Sequence, residues 1–245
     1  MKLRRITTSL TILCLAVATT SAQVTSNQAI QALNLVANKY LDTDQYYARF
    51  TVNFFTSHLT KTAADTEILE IYKRGKSVHK RQGDVEDFYT GEHLVNIAHK
   101  TQIIRINEID PDIVPFLLNV NFAALLDMAD SLSMRQSSMR AEEWTFHVHD
   151  GLVAKIVVKV DKNSNLIEKQ TIFYEDPYLN ALSKSGEHPR LEIVLEYFDQ
   201  TSDIRNDLFS LERFASMKNG QYTFKPEFVD YQISSNAALA KNIQP

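Results

Sequence analysis

Two histidines and a neighbouring aspartate form the sequence's best candidate for metal chemistry. His147 and His149 are separated by one residue, and Asp150 follows directly. Alternate residues of a strand project from the same face, so the two imidazoles would be placed as a pair of metal ligands. No third ligand stands at a diagnostic spacing, and the alternative is a strand whose polar residues face water. Of three hypotheses for the function of this chain, we therefore rank a periplasmic metal-dependent hydrolase last.

A second pair of titratable side chains flanks a proline. Asp110 and Asp112 stand on either side of Pro111, and two carboxylates so close together can act in acid–base catalysis. They also precede a predicted helix, where negative charge is favoured by the helix dipole. The sequence contains neither a Gly-x-Ser-x-Gly nucleophile motif nor a glycine-rich phosphate loop. We therefore expect a protein that is not an enzyme, with no cofactor and no bound metal.

Residues 1–22 predict export. A basic start leads into the mostly apolar stretch 6–17 and then into small residues, which is the order of a secretory signal peptide. We predict cleavage after Ala22, which gives a periplasmic mature chain of residues 23–245. Because Cys14 is the only cysteine and lies in the signal, the mature chain is expected to have neither a disulfide nor a thiolate metal site.

Net charge narrows the class of partner. The full chain carries a net charge of −4, and removal of the three basic residues of the signal leaves −7. An acidic protein with scattered basic residues is poorly suited to nucleic acid. The mature part has no second long apolar stretch, so we expect a soluble protein and not an integral membrane protein.

The spacing of apolar residues predicts the elements that position these groups. A helix is predicted over 27–41, where apolar residues recur at helical spacing after a capping Ser26 or Asn27. Alternation then predicts a first run of strands, in the segments 46–55, 66–74, 77–82, 86–89, 93–98 and 102–106. Neighbouring strands of such a run pair in sequence as a meander.

The pattern changes after the first run of strands. Residues 111–129 predict one or two short helices that are apolar on more than one side, so they must cover an apolar surface. Strands resume in the segments 143–148, 152–160, 166–174 and 191–198. The other predicted segments are a mobile polar loop at 131–141, a polar insertion at 175–189, a short apolar element at 208–214 and an edge strand at 222–233 that Pro226 interrupts.

This order predicts an α+β fold. A single antiparallel sheet of so many strands curls, so we expect a strongly curved antiparallel sheet, an unclosed β-barrel. The N-terminal helix and the lid helices then lie over its concave face. A curled sheet has more concave area than two short helices fill, which predicts an apolar cavity. Residues 23–245 are expected to form one such half-barrel domain with a C-terminal extension.

Five short strings of the sequence occur in an order typical of one known family. In chain order they are Tyr47-Ala48-Arg49-Phe50-Thr51, Leu69–Arg74, Thr90-Gly91-Glu92-His93-Leu94, Val114-Pro115-Phe116-Leu117-Leu118 and Leu152–Tyr174. They resemble the LolA-like family, the periplasmic carriers of outer-membrane lipoproteins. The family's proline after Lys-Arg is replaced by Gly75, and its Pro-Pro-x-Gly ending is absent. Substrate and partner are therefore expected to differ from those of the best-known members.

The resemblance implies a function and a set of site residues. It implies a lipid-binding chaperone of outer-membrane biogenesis that carries the acyl chains of lipoproteins, or another apolar ligand, in its hollow. It also implies that Arg74 bonds the lid backbone and holds the lid closed, and an Arg74 that faces the hollow would bring Tyr72 with it. The expected ligand-binding residues are Ala48, Phe50, Val52, Phe54, Tyr72, Arg74, Phe116, Leu117, Phe122, Leu125 and Leu126.

A second hypothesis uses the same fold without a lipid. In it the chain is a non-catalytic accessory or structural module of an envelope secretion or surface machine, and the aromatic side chains are only core. The edge at 222–233 would then pair with a strand of a partner protein. The partners expected overall are a lipid-modified protein or other lipid ligand and components of envelope transport.

Overall fold

The computed structural model of this chain describes most residues beyond the predicted signal. The described residues are 26–91, 93–108, 114–118, 120–148, 152–175, 187–218, 221–235 and 243–244. The predicted signal peptide and most of the 175–189 insertion lie outside them.

Three α-helices and fifteen strands are described. The helices are α1 (Ser26–Leu41), α2 (Val114–Leu117) and α3 (Phe122–Met128). The strands before α2 are β1 (Gln45–Phe55), β2 (Asp65–Arg74), β3 (Ser77–Gln82), β4 (Val85–Tyr89), β5 (His93–Ala98) and β6 (Ile103–Glu108). Those after α3 are β7 (Ala129–Gln136), β8 (Ala141–Val148), β9 (Val153–Asp161), β10 (Leu166–Tyr174), β11 (Arg190–Asp199), β12 (Ala215–Lys218), β13 (Gln221–Phe224), β14 (Gln232–Ser235) and β15 (Ile243–Gln244).

One large sheet organises these elements. Its twelve strands follow the order β14-β6-β5-β4-β3-β2-β1-β11-β10-β9-β8-β7, and β12, β13 and β15 form a small second sheet. Neighbours in the large sheet are antiparallel except for β14, which runs parallel to β6. The sheet is curved and unclosed, as expected, because β7 and β14 are its two edges in the described part of the chain.

The first hydrophobic core lies on the side of the sheet that the three α-helices cover, which we call the inner face. Side chains of β1, β2, β8, β9 and β10 pack there against α1, α2 and α3. Helix α1 is attached to the sheet by the Tyr40 hydroxyl, which accepts a hydrogen bond from the Ile167 N–H at 3.0 Å. The ring of Tyr46 stacks on Phe198 at 4.8 Å between centroids.

A second core lies on the opposite side, the outer face, of β4, β5 and β6. There Phe88, Val95 and Ile104 are fully buried beneath residues 204–218 and 221–231, which we call the C-terminal segment. Phe214 of this segment packs on Phe88 at 5.7 Å and stacks on Phe224 at 6.2 Å between ring centroids. The apolar side of the sheet therefore changes from the inner face at β1 to the outer face at β4–β6.

Several sequence predictions are confirmed and two need correction. The helix expected at 27–41 is α1, and the short helices expected within 111–129 are α2 and α3. The mobile loop expected at 131–141 is wrong, because most of it is β7, whose Leu132 and Met134 join the inner core. The edge strand expected at 222–233 is divided between β13 and β14 on either side of a 3-10 turn at Pro226. None of the helices in the described part of the chain has the length and apolar character needed to cross a membrane.

Candidate functional site

The apolar part of the inner face is centred on β1. Ala48, Phe50 and Val52 alternate along this strand and are all buried, while Phe54 is half-buried against the same core. Because β1 lies between β2 and β11, these side chains sit in the middle of the large sheet. The structure thus brings together the four β1 residues that the sequence predicted for the site.

Two short helices pack against the same core, α2 beside β3 and α3 beside β7 and β8, and together we call them the lid (α2 and α3). Phe122 of α3 is buried, and Leu125 and Leu126 pack half-buried against the inner core. Helix α3 is capped by Asn121, whose side-chain oxygen accepts the Ala124 N–H at 3.2 Å. Leu117 of α2 joins the same core. The side chain of Phe116 lies outside the described residues.

The structure corrects the expected positions of Tyr72 and Arg74. In the β2 register Leu69 and Ile71 share the inner core, so Tyr72 and Arg74, at alternate positions, face outward. The Arg74 guanidinium donates to the Ile204 carbonyl oxygen at 3.0 Å and to the Asn206 side chain. It therefore holds the start of the C-terminal segment, and the expected bond from Arg74 to the lid backbone is wrong.

Glu70 also faces outward, away from the apolar core. It accepts a hydrogen bond from the Tyr47 hydroxyl at 2.8 Å, and the Tyr47 ring stacks on Tyr72 at 4.8 Å between centroids. Because Glu70 faces outward, its carboxylate is not buried in the apolar core, where a charge without a partner would cost free energy.

A buried lysine takes the inner position at this end of β2. Lys73 is 2% exposed, and its Nζ donates to the Thr43 carbonyl oxygen at 2.6 Å. Burial lowers the pKa of Lys73, against the opposing charges of Asp44 and Asp42. The resemblance to the family assigned the inward position to Arg74, so the inward orientation of Lys73 was not predicted. The strand alternation set by Leu69 and Ile71 was the available signal.

The inner face becomes polar beyond β2. Lys80 of β3 and Asp87 of β4 are directly opposite in the register, and Asn96 of β5 donates to the Asp87 carboxylate. Burial lowers the pKa of Lys80, and the charge of Asp87 acts in the opposite direction. A small cavity of about 290 Å³ opens here, and it is lined by Glu67, Lys80, Gln82, Asp84, Val85 and Asp87. The inner face is therefore amphipathic, with an apolar part under the lid and a polar part beside it.

A buried ionic cluster joins the outer face to the C-terminal segment. Glu86, which is 6% exposed, accepts from His79 at 2.9 Å, from His99 at 3.0 Å and from Arg213 at 2.9 Å. Burial acts to raise the pKa of Glu86, but the hydrogen bond from His79 and the charge of Arg213 outweigh it and hold that pKa well below its usual range. No sequence motif predicted this cluster, because His79, Glu86, His99 and Arg213 belong to separate parts of the chain.

Of the candidate metal residues, the described part of the chain contains His147 alone. His147 is exposed on the outer face of β8, while His149 and Asp150 lie outside the described residues. Asp110 and Asp112 lie outside them as well. Within the described ranges, no three histidine, aspartate or glutamate side chains are arranged to hold a metal ion.

The comparisons with known proteins concern the fold. A scan against family models finds no match, and neither does a search of curated proteins. An uncharacterized conserved protein from Thermus thermophilus is similar in structure, with 13% identity, a TM-score of 0.48 and coverage of 85% of this chain and 99% of that one.

Two further solved structures resemble the chain. A LolA superfamily protein from Nitrosomonas europaea has 9% identity and a TM-score of 0.36, covering 76% of this chain and 99% of its own. Lipoprotein LppX from Mycobacterium tuberculosis has 7% identity and a TM-score of 0.37, covering 74% and 100%. A LolA superfamily protein is thus among the structures similar to this chain. At these identities and TM-scores the likeness transfers no function.

Proposed function

We propose that this chain is an exported carrier that holds the acyl chains of a lipid or lipid-modified protein between its inner face and its lid. The observation that supports this most is the shortness of the lid helices that pack against the core to which Ala48, Phe50 and Val52 belong. They have only four and seven residues, far fewer than the ~12–15 residues at which an isolated helix becomes stable. The lid conformation therefore depends on the surface it covers, and an apolar ligand can replace it there.

The energetics favour reversible binding. Each methylene moved from water to an apolar surface is stabilised by roughly 0.8 kcal/mol. When Phe122, Leu125 and Leu126 already occupy that surface, the ligand gains only the difference between its own burial and theirs. A carrier needs this balance, because it must release its cargo as well as capture it.

The amphipathic inner face suits an amphiphile. Acyl chains would lie over β1 beneath the lid, and the polar end of the ligand would lie over Lys80, Asp87 and Asn96 of the neighbouring strands. Polar groups at that end then find hydrogen-bond partners and are not buried unpaired. The proposed ligand-binding residues are Ala48, Phe50, Val52, Phe54, Leu117, Phe122, Leu125 and Leu126, together with Phe116 of α2.

The setting of this activity is proposed from the sequence. The predicted signal at residues 1–22 makes the periplasm the place of work, where acyl chains need protection from water. We propose that donor and acceptor are membrane-side transport components and that the chain itself performs no catalysis.

Binding of the fluorescent fatty acid cis-parinaric acid to the mature chain tests the proposal. The double variant Leu125→Ala/Leu126→Ala weakens the competing lid, so we expect the Kd to fall by about tenfold, which corresponds to ~1.4 kcal/mol. Met128→Ala is the matched control, because Met128 lies on the same helix but is 48% exposed, and its Kd should not change.

The direction of the change decides the outcome. An ordinary binding pocket would lose affinity when two apolar side chains are truncated, whereas a competing lid predicts a gain. Failure of the mature chain to bind the fatty acid, or weaker binding by the double variant, would contradict the proposal. If the mature chain binds the fatty acid as expected, mass spectrometry of lipid that co-purifies with the protein would identify the natural cargo.

A further inference from the structure

The outer face of β7–β11 contains an open groove of about 580 Å³. It lies on the opposite side of the sheet from the lid, and the C-terminal segment contributes none of its lining. The residues that line it are His58, Ser133, Arg135, Glu143, Thr145, His147, Lys155, Val157, Lys169, Thr171, Phe173, Arg190 and Glu192. The inference that follows is independent of the proposed carrier function.

The strand register arranges these residues in rows that cross the sheet. The middle row consists of small side chains in sequence Ser133, Thr145, Val157 and Thr171. Opposite pairs in such a row have Cβ atoms about 5 Å apart. This row of short side chains lies between rows of longer ones, which makes the groove, and the hydroxyl groups of Ser133, Thr145 and Thr171 lie along its base.

One flanking row is basic and aromatic. His147 is directly opposite Lys155, and Lys155 is directly opposite Phe173. The Lys155 ammonium lies over the Phe173 ring at 4.5 Å from its centroid. His58 packs edge-on to the same ring at 5.1 Å, which encloses that end of the groove.

Cations outnumber carboxylates in the lining by four to two, although the chain as a whole carries a net charge of −4. Glu143 pairs with Arg135 at 2.7 Å. Glu192 pairs with Arg190 at 3.1 Å and with Lys169 at 3.5 Å. Lys155 has no ion-pair partner within the described ranges, so its charge is available to a ligand.

We infer that this groove binds a hydroxyl-rich anion, namely an acidic sugar or a sugar phosphate. The carboxylate or phosphate group lies between Lys155 and His147, where an ammonium and an imidazole N–H can donate to it. The sugar hydroxyls exchange hydrogen bonds with Thr145, Thr171 and Ser133. The same chemistry occurs in a free solute and in the headgroup of a glycolipid or inositol lipid.

Calorimetric titration of the mature chain with glucose 6-phosphate tests the site. We expect saturable binding that is stronger than that of inorganic phosphate or glucose, because the groove uses both the anion and the hydroxyls. Lys155→Gln should weaken it by about tenfold through loss of a charge-assisted bond. Thr145→Val should weaken it by about threefold, which is the effect of one neutral hydrogen bond.

Lys159→Gln is the matched control. Lys159 lies further along the same strand and on the same face, but it pairs with Glu168 at 2.7 Å and lies outside the groove lining. An equal loss in Lys159→Gln and Lys155→Gln, or no binding of either glucose 6-phosphate or vesicles that contain phosphatidylinositol, would overturn the inference. Melting temperatures of the three variants, expected to match that of the wild type, show that the substitutions act on binding.

Vesicles distinguish the two sources of the ligand. Sedimentation with phosphatidylcholine vesicles that contain phosphatidylinositol, abolished by Lys155→Gln, would assign a lipid headgroup. Binding of glucose 6-phosphate without such sedimentation would assign a free solute. Vesicle binding that Lys155→Gln leaves unchanged, together with no binding of the soluble sugar phosphate, would contradict both.

Discussion

The two halves of the outer face have opposite characters within one sheet. Over β4–β6 the outward side chains are Phe88, Val95 and Ile104, which are buried beneath the C-terminal segment. Over β8–β10 the corresponding positions include Thr145 and Lys155, which line an open groove. Both regions have the same regular alternation and the same antiparallel pairing.

The difference shows that the type of the outward side chains decides whether another segment of the chain packs over them. Burial of an outward row of large apolar residues stabilises the fold by roughly 25 cal/mol for each Å² removed from water. The C-terminal segment buries such a row over β4–β6. An outward row of hydroxyl and charged residues gains nothing from such a cover and stays open to ligands. The half-barrel therefore carries one outer surface for stability and another that is available for recognition.

The largest expected effect comes from removing the anchor of the covered half. Phe214 is 1% exposed and packs among aromatic rings of the sheet and segment, so Phe214→Ala should lower the free energy of unfolding by about 3–5 kcal/mol. Urea denaturation measures the change. Val229→Ala, at a residue 58% exposed in the same segment, should change it by less than about 0.5 kcal/mol. Equal effects would mean that the segment is not anchored as described.

The ionic cluster under the same segment should have the next largest effect. Glu86→Gln replaces the carboxylate shared by Arg213 and two histidines with a neutral amide that has one acceptor oxygen, and we expect a loss of about 2–3 kcal/mol near neutral pH. Because the pKa of Glu86 is lowered in the folded state, its contribution is present above the unfolded pKa of about 4.3 and is lost as the pH falls.

The pH dependence separates this effect from a packing defect. The stability difference between wild type and Glu86→Gln, measured by urea denaturation, should be constant near neutral pH and shrink below about pH 4. Glu196→Gln removes a carboxylate that is 44% exposed and paired with Arg49, and it should cost less than about 1 kcal/mol. A difference between wild type and Glu86→Gln that does not depend on pH would exclude the role of the Glu86 charge.

The smallest effect is expected at Arg74. Arg74→Leu removes the bonds to Ile204 and Asn206, so we expect a loss of about 0.5–1.5 kcal/mol and faster amide exchange over residues 204–209. Affinity for cis-parinaric acid should stay unchanged, because Arg74 is on the outer face. Faster exchange over the lid, with unchanged exchange over 204–209, would restore the original expectation that Arg74 holds the lid.

The same comparison shows where sequence reasoning succeeded. The alternation of Ala48, Phe50 and Val52 predicted their common face, because successive strand residues point to opposite sides whatever the sheet does. The short apolar helices were predicted from their spacing. Strand β7 was not predicted, because its serines and arginine are typical of a polar loop. Its pairing with β8 stabilises it as a strand.

By itself the sequence determined the order of the elements, the curved antiparallel sheet and the apolar stripe of β1, since these depend on local spacing. Only the tertiary structure decided that Arg74 holds the start of the C-terminal segment, and that His79 and His99 share Glu86 with Arg213. Alternation divides a strand into two faces but does not say which element covers each face. For Arg74 and Arg213 that choice depends on contacts with residues more than a hundred positions away in the sequence, which no local pattern contains.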